Sequence, residues 1–165
     1  MKKINWFYPF LLLALMIMIF CFSAQAADDS SLTSGRVCRF LARHLISGFS
    51  GFETAVQNKI VDGLSHVVRK TAHFSEYALM SFLWYLWLHR VKFAPLIALA
   101  ATAIYSCTDE LHQLFVPGRA GQLRDVLIDS SGAVFGILVA FVLICIVYCV
   151  RRREIVRWGT WNIPN

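Results

Sequence analysis

Residues 125–153 read DVLIDSSGAVFGILVAFVLICIVYCVRRR. From Val126 to Val150 the one charge is Asp129, and three arginines close the run. At 1.5 Å per residue such a helix crosses about 30 Å of hydrocarbon, so the stretch predicts a transmembrane span over 126–150. Working back along the chain, a second apolar run covers 93–115, with Pro95 in its first turn, where a missing N–H costs little, and Pro117-Gly118 just beyond it. A third covers 71–89 and stops at His89-Arg90. A fourth covers 4–23 behind Lys2 and Lys3. The pattern predicts an all-α fold: a polytopic membrane helical bundle of four transmembrane helices, forming a single domain over 1–165.

Composition agrees. The apolar fraction is 58% and the charged fraction 16%, against roughly 25% charged in ordinary soluble domains. The net charge of +6 does not indicate nucleic acid, because the basic residues flank apolar runs rather than forming one stripe. That distribution suits anionic lipid and orientation in a bilayer. Cys21, Cys145 and Cys149 lie inside apolar runs and read as small hydrophobes. Cys38 and Cys107 lack metal-ligand or redox spacing, and would pair as a disulfide only if both faced outward.

Ala24-Gln25-Ala26 resembles a signal-peptidase site, but the run before it is longer than the roughly 7–15 residues of a signal core. Retention as an anchor is therefore the expectation, and cleavage would leave three spans in the same orientation. Bulky Phe20 before Cys21 argues against a lipoprotein signal. The segment 24–70 is more polar and reads as the first outer loop. Asp28-Asp29-Ser30-Ser31 and Thr33-Ser34-Gly35 are loop and cap material. Val37, Phe40, Leu41 and Leu45 then share one helical face, with Arg36, Arg39 and Arg43 on another; Phe52, Val56, Ile60, Leu64 and Val68 recur every four residues. Two short amphipathic helices joined near Ser47-Gly48 fit, lying at the membrane surface or packed as a small domain on the bundle.

With four spans, Lys2 and Lys3, Arg90 and Lys92, and Arg151 to Arg153 with Arg157 fall on one side. The positive-inside rule makes that side cytoplasmic, with both termini inside and 151–165 a basic tail. A set of polar residues then collects at the outer ends of the spans. Lys70, His73 and Tyr77 share a face of the second span, with Glu76 beside them; Asp109, Glu110 and Gln113 close the third. Arg119 and Arg124 lie in the connection, and Asp125 and Asp129 open the fourth span one turn apart. Asp109 is about 24 Å up its helix from Phe93, at lipid head-group depth. Buried charges near mid-membrane cost at least about 2.5–3.5 kcal/mol each, so such a set pairs, meets water or serves a purpose. Gly132 and Gly136, one turn apart below Asp129, would let another helix approach closely and draw the carboxylates toward the other spans.

Taken together, His73-Phe-Ser-Glu76-Tyr77 after Arg69-Lys70, Asp109-Glu110-Leu-His-Gln113, Pro117-Gly118-Arg119, and Asp125 leading to Gly132 resemble the VanZ-like family. Phe22-Ser23-Ala-Gln25, Ser30-Ser31 and Ser34 resemble its first span and outer segment. The resemblance runs from about Phe20 to Phe141. It implies an uncleaved first helix, a bacterial envelope location and a context of teicoplanin-type glycopeptide resistance, without supplying a mechanism.

Three uses for the polar set follow. In a structural one, Asp109 and Glu110 pair with Lys70, Arg119 or Arg124; exposed pairs contribute only roughly 0–1 kcal/mol each. In a binding one, Arg119, Arg124 and Lys70 receive an anionic lipid or lipid-linked precursor, with His73, Glu76, Tyr77, Asp109, Glu110, Gln113, Asp125 and Asp129 completing the site. In an enzymatic one, His73 or Glu76 acts as general base and Asp109, Glu110, Asp125 or Asp129 holds a divalent cation. No nucleophile motif or HExxH pattern accompanies them, so the reading leans away from an enzyme and expects no resident cofactor or metal. A transporter would need a dimer to form a path, which leaves a homo-oligomer open.

Overall fold

The computed structural model describes residues 6–159, without the side chains at 27–31, 33 and 153–159. Lys2, Lys3, the start of the first run at Ile4, the side chains of Asp28 to Ser31, Thr33, Arg153 and Arg157, and the end of the tail lie outside the described residues. What is described is all-helical: α1 (Phe7–Ser23), α2 (Ala27–Leu45), a short 3-10 turn (Phe49–Gly51), α3 (Thr54–Leu88), α4 (Ala94–Gln113) and α5 (Leu123–Gly159).

One expected boundary dissolves. The second amphipathic segment and the 71–89 run are one unbroken 35-residue helix, α3. Ending a helix takes a breaker or a cap, and between Thr54 and Leu88 the sequence offers only Gly63. The apolar run of α5 closes at the arginines as expected, while the helix itself continues past them to Gly159. Elsewhere the turn chemistry acts as expected. Gly48 takes the left-handed conformation (φ 76°) after α2, and Pro95 occupies the first turn of α4 behind Phe93, itself left-handed at φ 61°.

α2 folds back on the first half of α3 through a core of Cys38, Ala42, Phe49 and Val61. The outer segment is therefore a helical hairpin with its own small core. This burial removes Cys38 from reach of Cys107, which is exposed on α4, and both are free thiols. In the bundle, α1 packs Leu12, Leu15 and Ile19 against Tyr77, Met80 and Leu83 of α3. Tyr105 of α4 donates to the Met16 carbonyl at 2.6 Å, tying α1 to a second helix.

α3 and α5 make the closest pair. A Cβ on Gly132 would overlap the Phe74 carbonyl, and one on Gly136 the Ala78 carbonyl. The bare backbones thus let Ser81 donate to Ala133 O at 2.7 Å across the interface. Among the described residues one helical stretch, Leu123–Arg152, is long and apolar enough to cross a membrane, with mean hydropathy 3.0 over its best window. Only 17% of that window is buried, so its apolar surface faces outward. α1 is a shorter apolar helix.

Candidate functional site

The site forms where α3, α4 and α5 converge beside the end of α1. On α4, Ala98, Thr102, Ser106, Asp109 and Gln113 repeat every three or four residues, and all are buried. This stripe of small and polar groups faces α3 and α5 where an apolar stripe would ordinarily pack. Asp129 of α5, fully buried, accepts a hydrogen bond from Ser106 Oγ at 2.6 Å through Oδ2. Its Oδ1 lies 4.0 Å from His73 Nδ1 on α3. One carboxylate thereby touches three helices. The His73 and Tyr77 rings stack with centroids 6.4 Å apart, and the Tyr77 hydroxyl is directed toward Asp109, short of full hydrogen-bond geometry.

The loop after α4 is built by two glycines. Pro117-Gly118 makes a turn with Arg119 N donating to Val116 O at 3.1 Å and Gly118 at φ 74°, the positions a type II turn requires. Gly121 lets the loop lie against α4, because a Cβ there would overlap the Glu110 carbonyl. Glu110 Oε2 then accepts the Gln122 N–H at 2.9 Å, a carboxylate borrowed from α4 at the start of α5. The turn aims Arg119 at the end of α1, where Nε donates to Gln25 O at 3.1 Å and Nη2 to Phe22 O at 3.3 Å.

Lys70 and Asp125 form an ion pair. The pairs anticipated for Asp109 and Glu110 with Lys70, Arg119 or Arg124 do not form. Both carboxylates sit on the buried side of α4, where Asp109 Oδ2 accepts from Gln113 Nε2 at 3.1 Å and Glu110 takes the backbone amide. Asp109 Oδ1, Glu110 Oε1, Asp129 Oδ1 and the Tyr77 hydroxyl are buried without a hydrogen-bond partner. Such groups carry a desolvation cost that water or a ligand would relieve. No three His, Cys, Asp or Glu side chains among the described residues converge where a metal ion could sit.

Two cavities of about 230 Å³ each open here. The first runs between α1, α2 and α3 along Ile19, Phe22, Val37, Val68 and Ala72, with Glu76 on its wall. The second is polar, with His66, Lys70, Gln113, Gln122 and Asp125. They share Arg69, His73 and Arg119. Arg124 is exposed and lines neither. The candidate site residues read from the sequence left out Arg69, His66, Ser106 and the α1 end at Phe22 to Gln25, although Arg69 and Phe22 to Gln25 stand in the motifs that carry the family resemblance. Arg69 and Ser106 were detectable, since Arg69, His73 and Glu76 keep helical spacing and Ser106 belongs to the stripe carrying Asp109.

A family model described as VanZ/LLP1 matches residues 8–146. The chain belongs to the VanZ/LLP1 family. No curated protein and no solved structure matches the chain. The VanZ/LLP1 match begins within α1 and runs through α5 as far as Ile146. It thus spans every helix that contributes to the two cavities, in a family that is membrane-associated.

Proposed function

We propose that this VanZ-like chain is a four-span protein of the bacterial cell membrane. It binds or shields an anionic lipid or lipid-linked envelope precursor at the outer leaflet, and so contributes to teicoplanin-type glycopeptide resistance. The spans are α1, the second half of α3, α4 and the apolar length of α5, with both termini cytoplasmic. Large exposed apolar residues ring the bundle in support, among them Phe10 and Ile17 on α1, Leu79 on α3, Leu96 and Ile104 on α4, and Phe135 and Phe141 on α5. A packed, hydrogen-bonded α1 supports its retention.

The observation that carries the binding reading is the junction of an apolar-walled cavity with a polar one at shared basic residues, an arrangement suited to an amphiphile with an anionic head. Arg119→Ala and Lys70→Ala, each at normal abundance in the membrane, are expected to raise teicoplanin susceptibility. Unchanged susceptibility in both would sink the reading.

A second reading, an intramembrane hydrolase or transferase on a lipid-linked substrate, draws on His73 and Glu76 lining the apolar-walled cavity together. Turnover of a polyprenyl-linked precursor by the purified chain, lost in His73→Ala and Glu76→Gln, would favour it. Absence of turnover would count against it.

A further inference from the structure

Arg69 lies half-buried on α3 and, like Arg119 on the α4–α5 loop, lines both cavities. Burial, and after it the like charge of Arg69, hold the Arg119 guanidinium below its ordinary pKa. Among the described residues the neighbouring charges offset the pair only in part and none forms an ion pair with either arginine. Lys70 is already joined to Asp125. Arg119 donates to two neutral carbonyls, and Asp109 and Glu110, which attract it from α4, each accept a neutral donor. Arg69 makes no ion pair or hydrogen bond among the described residues. Glu76 stands seven residues further along α3, about 10 Å away at 1.5 Å per residue.

Two guanidinium groups, partly withdrawn from water and facing one shared space, repel each other unless an anion sits between them. Phosphate suits that place, because its oxygens accept paired hydrogen bonds from more than one guanidinium at a time. The apolar cavity begins at these same arginines and leads away past Phe22 and Val68. We propose that Arg69 and Arg119 form a two-pronged clamp for the phosphate of a lipid phosphate, whose hydrocarbon chain enters the apolar cavity. This rests on the binding reading above and gives its recognition chemistry: a phosphoester head gripped by Arg69 and Arg119, with Lys70 held by Asp125 on the wall of the polar cavity beside them.

The test uses the full chain, purified in a neutral sugar detergent, immobilised, and probed with radiolabelled dodecyl phosphate. Wild-type chain retains the probe, and inorganic phosphate competes at least about a hundredfold more weakly, since it forgoes the apolar cavity. Arg69→Gln and Arg119→Gln each lower retention by about tenfold or more, Arg69→Lys by less, and Arg90→Gln at the opposite end leaves it unchanged. Arg69→Gln keeps or raises the melting temperature, because it removes repulsion and no contact, and dodecyl phosphate no longer shifts it. A merely structural Arg69 would instead lose stability on substitution. Equal retention by Arg69→Gln overturns the clamp while leaving the amphiphile site standing. Competition by inorganic phosphate at matched concentration overturns the lipid part. No retention by wild-type chain overturns both.

Discussion

Asp129 shows how much one side chain organises here. It is wholly buried, bonded to Ser106 and next to His73, so Asp129→Ala strands a buried serine hydroxyl and opens space between three helices. The expected cost is about 1–3 kcal/mol, read as a lower melting temperature in detergent, with Asp129→Asn milder because it still accepts from Ser106. Two glycines give a contrasting pair. Gly136→Val drives a branched side chain into the Ala78 carbonyl and should cost about 3 kcal/mol or more, with loss of folded protein from the membrane. Gly63→Ala, with nothing within 4 Å of the new methyl, should stabilise α3 by about 0.5–1 kcal/mol. At this scale the sequence was informative about faces and silent about partners. The four-residue spacings of Asp109 with Gln113, Asp125 with Asp129, and Gly132 with Gly136 survive intact in the fold. That Lys70 would meet Asp125, 55 residues away, or that Glu110 would cap α5, depends on how helices are placed against one another, which spacing within a helix does not encode.

The helices repeat the lesson on a larger scale. Apolar runs located α1, α4 and the start of α5 closely, and Pro95 behind Phe93 and Pro117-Gly118 mark the two ends of α4. The junction near residue 70 misled, because the change from amphipathic to nearly all-apolar sequence marks a change of surroundings and not a change of backbone. α1 is the element whose place matters most for the site, since it closes one wall of the apolar cavity with Ile19 and Phe22. Its anchoring includes the Tyr105 hydroxyl on Met16 O. Tyr105→Phe is expected to cost about 1 kcal/mol and to quicken proteolysis within α1, measured by mass spectrometry of limited digests.

For the whole molecule, the number of spans decides which side of the membrane each helix end meets. Among the described residues only the Leu123–Arg152 stretch passes on length and apolarity by itself; α3 and α4 spend charged and polar residues on the site, which dilutes the apolar signal of their spans. A membrane-impermeant maleimide is expected to label Gly51→Cys from outside intact cells and His89→Cys only after permeabilisation. Labelling of both from the same side would remove the proposed passage of α3 through the bilayer. The unbroken course of α3 has a mechanical meaning as well. Its outer half seats α2, and α2 supplies Ser34 and Val37 to the cavity wall; its next turns carry Arg69, His73 and Glu76. Each residue of a helix advances about 100° around the axis, so the outer hairpin and the cavity are locked in phase like two cranks on one shaft. A rotation of the hairpin about the α3 axis would therefore turn the arginine and histidine below it as well.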